Sequence, residues 1–480
     1  MFDPTRPFVL LDDVAAGTAR LFSEAIETVV AGVPGEVVPA LERLRGGCWA
    51  GFVGFEAGYA LEARLGGQMP PAGEPLLWFG RFGREEAVDA AGLLGAGPSW
   101  VGAAVPGMAR GGYDARLARV KDLIAAGDIY QANLTFAAAV AVGGHPLHLY
   151  ARLRAGSRAP FGALVFTGAM WVLSFSPELF FKLEGRTLTA RPMKGTAARG
   201  GDAVEDAARA AELQADPKNR AENLMIVDLL RNDLSRVGTD VRVPALFEVE
   251  TYPTVLQMTS TVMATAHAGV TAADVLLRLF PCGSVTGAPK IRAMEVIAEV
   301  EDGPRGVYTG SIGAISDGGD AVFNVAIRTL VLAPGAGQAR LGLGSGIVAD
   351  SDAAAEWAEC LQKSAFLARR GVPDLIETMR VEAGRVVDLD RHLARMAASA
   401  RFLGVVFDGF AVKSRVLAAV PDGFSGRVRL LVGALGAVSV LCSALSGFGP
   451  VVGELRVAVV DLPVGVDDWR LRHKTTDRGF

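Results

Sequence analysis

Residues 174–196 read SFSPELFFKLEGRTLTARPMKGT and contain the hairpin on which the predicted site is built. Glu178 precedes the hairpin and Lys194 follows it, so a carboxyl group and an amine are placed one short hairpin apart. Lys194 lies between Pro192 and Gly195, on stiff and tightly turned backbone that can aim its amine. The pair suggests covalent chemistry by an amine nucleophile with a carboxyl proton-transfer partner. The alternative is a surface hairpin with an exposed lysine and glutamate.

Apolar alternation around this hairpin predicts a largely antiparallel sheet. Strands are expected at 131–142, 162–168 and 170–182, and Gly-separated strands over 306–348. The first 100 residues alternate short apolar runs with Gly-rich turns, which predicts strands and loops with few long helices.

Four segments have helical patterns: 113–127, 217–236, 287–299 and 352–369. The second is opened by Pro217 and stopped by Gly238. Its middle is apolar nearly all round, so we expect it to be buried, and its charged residues Glu222, Asp228 and Arg231 then need partners. For the fourth helix, the N-cap and predicted inner face are Asp352, Trp357, Cys360, Leu361, Ser364 and Leu367.

Length and composition bound the class of protein. A chain of 480 residues predicts two or more domains, and Arg369, Arg370, Gly371 and Pro373 mark a boundary that separates residues 1–370 from 371–480. Half of the residues are hydrophobic, which predicts globular domains, and the net charge of -4 leaves no basic field for nucleic acid.

Targeting signals and disulfides are not expected. The N-terminus has no basic segment before its short apolar run, and no stretch approaches the roughly 20 apolar residues of a membrane helix. We therefore predict a cytoplasmic protein without membrane contact. His145 and His148 are interpreted as loop residues rather than metal ligands. Reduced thiols rather than disulfides or a zinc site are predicted for Cys48, Cys282, Cys360 and Cys442.

Acidic residues on two helices suggest a metal site. Glu356 and Glu359 are three positions apart and share a helix face, the spacing at which two carboxylates can meet one hard cation such as magnesium. Glu359 can instead pair with Lys363 one turn later. Glu222 favours the metal, because a carboxylate on an apolar helix is costly without a partner.

Candidate groups for an acidic ligand lie further along the chain. Residues 281–297, PCGSVTGAPKIRAMEVI, fail as a phosphate loop, yet such a turn can offer backbone N–H groups and Lys290 to a carboxylate. An ordinary capping loop is the alternative. Tyr308 and Arg328 lie in apolar strand runs, and an arginine there usually faces a carboxylate, either internal or from a ligand.

Nine motifs in this order resemble the chorismate-utilising enzymes, and within them the aminodeoxychorismate synthases. The resemblance is dense over residues 110–370 and implies an α+β fold of packed antiparallel sheets flanked by helices. The motifs are GDIYQANLTF, SFSPELFFKLEG, RPMKGT, AENLMIVDLLRNDL, YPTVLQMTSTV, PCGSVTGAPKIRAMEVI, RGVYTGSIGAI, FNVAIRT and GSGIVADSDAAAEWAE.

Three positions indicate the branch of the family. Lys194 resembles a lysine of aminodeoxychorismate synthases where anthranilate synthases have alanine. Gln257 resembles the same branch, because anthranilate synthases usually have histidine in that region. Gln131 stands where isochorismate and salicylate synthases carry a water-activating lysine. The resemblance therefore implies ammonia as the final nucleophile.

The resemblance also implies a mechanism and a set of site residues. Glu178 protonates the departing C4 hydroxyl of chorismate while Lys194 adds at C2, and ammonia then attacks C4 and expels the lysine. A free lysine has a pKa of about 10.4, so desolvation or nearby positive charge from magnesium and Lys290 must favour the neutral amine. Magnesium ligands are implied at Glu222, Glu356 and Glu359, and substrate contacts at Tyr308, Arg328, Gly344, Gly346, Lys290, Gln131 and Gln257.

Ammonia must come from elsewhere. GGCWAG around Cys48 superficially resembles a nucleophile elbow, but Ala50 replaces the second glycine and no suitable His-x-Glu follows. We therefore expect a separate glutamine amidotransferase subunit or free ammonia, with the product used for 4-aminobenzoate and folate. The rival functions are anthranilate synthase component I and a non-catalytic binding subunit.

Residues 371–480 resemble the beginning of fold-type IV pyridoxal phosphate enzymes such as aminodeoxychorismate lyase. Within this partial α/β segment, Arg391 resembles a phosphate-binding arginine and Lys474 the Schiff-base lysine. The chain ends at Phe480, so we expect a vestigial or truncated segment without bound pyridoxal phosphate or lyase activity.

Overall fold

The computed structural model describes residues 2–70, 73–95, 99–157, 159–200, 203–251, 255–367, 374–403, 405–433, 436–444 and 473–475. Its described strands form one sheet of 18 strands and one of four, and every pairing of strands is antiparallel. The predicted antiparallel sheet is therefore confirmed.

The strands of the large sheet are β1 (Phe8–Asp13), β2 (Thr18–Ala31), β3 (Trp49–Val53), β4 (Leu77–Ala87), β5 (Ser99–Pro106), β6 (Gln131–Gly144), β7 (Phe161–Phe166), β8 (Trp171–Ser176), β9 (Leu179–Glu184), β10 (Thr187–Arg191), β11 (Met193–Ala198), β12 (Gly238–Thr251), β13 (Val255–Ala266), β14 (Gly287–Ala288), β15 (Ser311–Ile315), β16 (Ala321–Asn324), β17 (Thr329–Leu332) and β18 (Gln338–Ile347).

The helices that accompany this sheet are α1 (Pro34–Glu42), α2 (Ala57–Leu61), α3 (Ala90–Leu94), α4 (Arg110–Ala125), α5 (Pro146–Ser157), α6 (Ala203–Ala215), α7 (Pro217–Ser235), α8 (Ala272–Leu279), α9 (Lys290–Val300) and α10 (Ala353–Gln362), with 3-10 turns at Ala63–Leu65, Gly283–Val285 and Ala365–Leu367.

The large sheet folds back on itself to form two layers. Strand β1 pairs with β7 on one side and with β2 on the other, and so joins the two halves. Between the halves lies an apolar core that includes Phe52 and Trp78 from one layer and Val165 and Val172 from the other. Helices α4, α5, α9 and α10 cover one layer, and α1, α7 and α8 cover the other. This is the predicted architecture of packed sheets flanked by helices.

Two helix predictions need correction. Helix α7 is buried on one face only, since Leu224 is 50% exposed and Asp228 pairs with Arg231 at the surface. Polar residues interrupt its apolar run often enough to leave a solvated stripe. The helix predicted for 352–369 ends at Gln362, and its buried residues are Glu356 and Cys360, so a carboxylate lies on the inner face. The predicted N-cap Asp352 is confirmed.

The predicted strand 170–182 is two strands. Strand β8 ends at Ser176 and β9 begins at Leu179, and Pro177 and Glu178 connect them. Proline has no N–H group to donate to a sheet, which explains the interruption. The break brings Glu178 out of the ladder and to the end of the hairpin.

The second sheet is formed by β19 (Leu375–Glu382), β20 (Arg385–Val386), β21 (Gly426–Val432) and β22 (Val438–Ser443), with α11 (Leu389–Leu403) and α12 (Gly409–Ala419). Strand, turn, strand and helix follow one another as predicted. The sheet contacts the large one through Trp100, which is packed with Leu431 and Ala437. The predicted domain boundary at 370 lies outside the described residues. Among the described residues, no helix is long and apolar enough to span a membrane.

Candidate active site

The hairpin brings Glu178 and Lys194 to the same end. Strands β9 and β10 pair antiparallel with Leu179 opposite Arg191, so the residues just before β9 and just after β10 are neighbours. In β11 the register against β13 shifts between Met193 and Thr196, which places Lys194 on a bulge. Bulges redirect a side chain away from the regular alternation of a strand. Lys194 is thereby aimed by an irregularity in the sheet.

The Lys194 amine lies over Gly346 on β18. A Cβ atom added at Gly346 would be 2.8 Å from Lys194 Nζ and 2.9 Å from Gln131 Nε2. Any side chain at 346 would therefore fill the space beside the amine. Lys363 donates to the carbonyl of Gly344, 2.7 Å away, on the same strand. The two predicted glycines thus lie beside the Lys194 and Lys363 amines.

Glu178 is buried and placed to exchange a proton. The residue is 4% exposed, and its Oε1 atom accepts a 2.6 Å hydrogen bond from Ser284 Oγ. Burial raises the pKa of Glu178 to about 7, although the Ser284 hydrogen bond and the nearby Lys194 charge oppose the rise. A carboxyl group with this pKa holds a proton in a large fraction of molecules at neutral pH. It can act as a general acid.

Ser284 is a site residue that the sequence reasoning missed. It lies in the 3-10 turn Gly283–Val285, and Gly283 lets the turn approach α7, because a Cβ there would lie 2.1 Å from Leu229 Cδ2. The Gly-containing loop before α9, which also holds Lys290, is the sequence feature that points to this position. The sequence does not show which acceptor a serine hydroxyl in a loop will reach, because only the fold brings Glu178 beside Ser284.

The three carboxylates of the predicted metal site come from two helices. Burial raises the pKa of Glu222 on α7, and the charges of Glu356 and Glu359 on α10 add to the rise although Lys194 and Lys218 oppose it. Glu356 accepts a 2.7 Å hydrogen bond from Ser351 Oγ. The two acids of α10 therefore act electrostatically on Glu222 of α7.

Glu359 also forms the ion pair that was the alternative interpretation. Lys363 Nζ lies 2.8 Å from its carboxylate. Burial alone would raise the pKa of Glu359, but the Lys363 charge and hydrogen bond hold it below its ordinary value. In the part of the chain that is described, no group of three His, Cys, Asp or Glu side chains is close enough to hold a metal ion. The donors are nevertheless all carboxylate oxygens, which suit a hard cation such as magnesium.

Tyr308 lies further along the same ribbon of β6 and β18, near the middle of β18. Its ring packs on Gly342, where a Cβ would be 2.0 Å from the ring, and it lines a cavity of about 460 Å³. Arg328 precedes β17 with a φ of 51°, and its carbonyl accepts a hydrogen bond from the Phe175 N–H group. This cavity therefore adjoins Tyr308 rather than Lys194.

Two predicted substrate contacts are occupied by protein groups. Lys290 Nζ lies 2.5 Å from Asp233 Oδ2 and 2.8 Å from the Leu279 carbonyl, so it ties α9 to α7. Gln257 donates to the Gly195 carbonyl at 2.8 Å and accepts from Thr196 Oγ1 at 2.9 Å. Gln257 therefore supports the bulge that carries Lys194. The sequence cannot distinguish such a supporting role from ligand contact.

Most of the chain is similar to a known protein family. Residues 21–369 match the family of chorismate binding enzymes. The match covers well over half of the chain. The chain belongs to the chorismate binding enzyme family. The predicted resemblance and its α+β fold are confirmed.

Relatives of this chorismate binding enzyme include anthranilate synthases and aminodeoxychorismate synthases. Anthranilate synthase component 1 of Streptomyces coelicolor is 45% identical over 256 residues, which are 52% of this chain and 50% of the relative. Aminodeoxychorismate synthase component 1 of Klebsiella aerogenes is 43% identical over 258 residues, 53% of this chain and 57% of the relative. The chain spans about half the length of the curated relatives it matches. The relatives thus include aminodeoxychorismate synthases, which are the predicted branch, as well as anthranilate synthases.

A solved structure supports the fold. The anthranilate synthase component I from Streptococcus pneumoniae TIGR4 is 26% identical, with a TM-score of 0.63 over 77% of this chain and 94% of that chain. Residues 374–479, which include the four-stranded sheet and form the second unit of the chain, match a second family, amino-transferase class IV. The predicted resemblance of the C-terminal segment is thereby confirmed.

In the second unit, one buried glutamate contacts several basic side chains. Glu377 on β19 accepts hydrogen bonds from Arg395 at 2.6 Å and from Lys474 Nζ at 3.3 Å, and His392 contacts the same carboxylate. Arg391, the predicted phosphate-binding residue, is exposed on α11. The helix turns Arg395, four positions later, toward Lys474 instead. The phosphate-binding role of Arg391 stays a prediction.

Proposed function

We propose that this chorismate binding enzyme aminates chorismate at C4 to give 4-amino-4-deoxychorismate, for 4-aminobenzoate and folate synthesis. The observation that carries the proposal is the Lys194 amine over Gly346, with buried Glu178 at the same end of the hairpin. An amine beside a carboxyl group of pKa about 7 supplies a nucleophile and a proton donor together.

The proposed reaction has two substitutions. The Lys194 lone pair forms a bond to C2, the ring double bonds shift, and the C4–O bond breaks as Glu178 protonates the departing hydroxyl, which leaves as water. Ammonia then bonds to C4, the double bonds shift back, and the C2–N bond breaks to restore the lysine. Glu178, now ionised, takes the proton that the attacking ammonia must lose. The net reaction exchanges a hydroxyl group for an amino group.

Magnesium belongs to the same proposal. Glu222, Glu356 and Glu359 would hold it, because their carboxylates act on one another and supply only oxygen donors. When bound, the ion would neutralise and orient a substrate carboxylate.

A glutamine amidotransferase subunit is the proposed source of ammonia. The half-buried Cys48 donates to Glu85, and burial together with that carboxylate raises the pKa of Cys48 to about 12. A glutaminase nucleophile needs the opposite shift. A cytoplasmic location is proposed as well, because Cys48, Cys282, Cys360 and Cys442 are all free thiols.

Anthranilate synthesis is the second candidate, because a relative with that name is 45% identical. That reaction needs no lysine nucleophile, whereas in this chain the Lys194 amine lies over Gly346 in the candidate active site. A binding subunit without catalysis is the third. The retained carboxylates and amine at the site argue against it.

One experiment separates these functions. The full chain is incubated with chorismate, magnesium chloride and ammonium, and products are identified by mass and fluorescence, with Lys194→Ala as the comparison. We expect aminodeoxychorismate from the native chain and a large loss of rate in Lys194→Ala. Fluorescent anthranilate as the main product would support the second candidate, and absence of any turnover would support the third.

A further inference from the structure

Gln131 holds a buried acceptor with no partner. The residue opens β6 and is 0% exposed, and its Oε1 atom has no hydrogen bond within the described residues. An unsatisfied buried carbonyl lowers stability, and such groups in native proteins call for an explanation.

A chain of hydrogen bonds fixes which end of the Gln131 amide is unsatisfied. Asn133 Nδ2 donates to the Ser284 carbonyl at 3.4 Å, so Asn133 Oδ1 faces Gln131. Gln131 Nε2 donates to this oxygen at 3.2 Å. Reversing the Gln131 amide would place two acceptors against each other. The chain continues through Ser284 Oγ to Glu178, so the amide is held by the same network as the proposed acid.

The Lys194 amine is the complementary group. Nζ of Lys194 and Nε2 of Gln131 lie 2.8 Å and 2.9 Å from the same point above Gly346. No hydrogen bond or ion pair of the described residues engages this amine. Glu178, Glu222 and Glu359 act on it only electrostatically. The Lys194 amine therefore lies near the Gln131 amide, whose Oε1 atom is an acceptor without a donor.

We propose that Gln131 Oε1 accepts a hydrogen bond from Lys194 Nζ when substrate is bound, and so points the amine lone pair at the ring carbon that it attacks. The inference rests on the proposed function. A neutral carbonyl can orient an amine while favouring its charged form less than a carboxylate at the same place would. Gln131 is then a positioning residue that acts through Lys194, rather than the substrate contact that its sequence context suggested.

The test is Gln131→Met, which keeps the length of the side chain and removes the acceptor. We expect kcat to fall about tenfold or more through lost orientation of the amine, with KM changed less than about twofold. Because Gln131 acts through Lys194, adding Gln131→Met to Lys194→Ala should leave the residual kcat of Lys194→Ala unchanged. Melting temperature shows whether the variant is folded.

Two results would overturn the inference. A raised KM with an unchanged kcat would assign Gln131 to direct substrate binding, and a kcat within about twofold of the native value would remove any positioning role. Failure of the proposed function is a different outcome, because the native chain itself would then make no aminodeoxychorismate under the same conditions.

Discussion

At the scale of single residues, the proposed chemistry depends on one carboxyl group whose environment is set by a neighbour. Glu178 is one of the most buried acids of the site, and Ser284 is the hydrogen-bond donor that stabilises its ionised form. With a pKa of about 7, Glu178 is protonated below neutrality, and as pH rises it loses the proton that the proposed reaction requires. We therefore expect kcat/KM to decline as pH increases through about 7.

Ser284→Ala should move that decline to higher pH. Loss of the hydroxyl donor removes an interaction that lowers the Glu178 pKa, so the carboxyl group should keep its proton to higher pH. The measurement is kcat/KM from pH 5.5 to 9. Ser311→Ala removes another buried hydroxyl, which donates to the Asn324 carbonyl, and should leave the profile unchanged. A profile in Ser284→Ala identical to the native one would show that Glu178 is not the titrating acid.

At the scale of elements, the bulge of β11 is what aims Lys194. Gly195 has a φ of 86°, and a Cβ there would lie 3.0 Å from Asn219 Oδ1 on α7. Gly195→Ala should cost about 1–2 kcal/mol of stability from the left-handed backbone and should also displace the lysine. We expect a loss of kcat beyond what the lower melting temperature explains.

Gly185→Ala is the matched control for this bulge. Gly185 has a φ of 56° in the turn between β9 and β10, with nothing within 4 Å of its added Cβ. It should show a similar loss of melting temperature with near-native kcat. Equal losses of kcat in both variants would mean that the bulge does not aim the amine.

The facing helices α7 and α10 carry the second prediction at this scale. Glu222→Gln removes one of three carboxylates, so the magnesium concentration for half-maximal rate should rise by at least about tenfold. Asp228→Asn on the same helix is the control, because Asp228 pairs with Arg231 at the surface. Magnesium titrations of the two variants measure the difference, and an unchanged requirement in Glu222→Gln would exclude it from the metal site.

At the scale of the whole molecule, the four-stranded sheet is joined to the large sheet at Trp100. Gly433 makes the approach possible, because a Cβ there would lie 2.6 Å from Trp100 Cβ. The C-terminal unit covers Trp100, which is 0% exposed. We expect Gly433→Ala to lower the melting temperature by several degrees and to increase cleavage between the units by protease.

Gly409→Ala provides the comparison within the same unit. Its added Cβ would meet only Phe407, at 3.5 Å, which is ordinary contact. It should leave both the melting temperature and the protease pattern close to native. Unchanged stability in Gly433→Ala would mean that the two units are coupled elsewhere.

The sequence by itself determined the antiparallel fold, the family and the residues at which an amine, an acid and three carboxylates stand, because periodicity and ordered motifs are local properties of the chain. Tertiary structure alone decided that Ser284 tunes Glu178, that Asp233 engages Lys290, and that Gln257 holds the bulge. Each of these contacts joins residues more than 50 positions apart, as their separations of 106, 57 and 62 positions show. Such pairings depend on how strands and helices pack, and no local pattern records them.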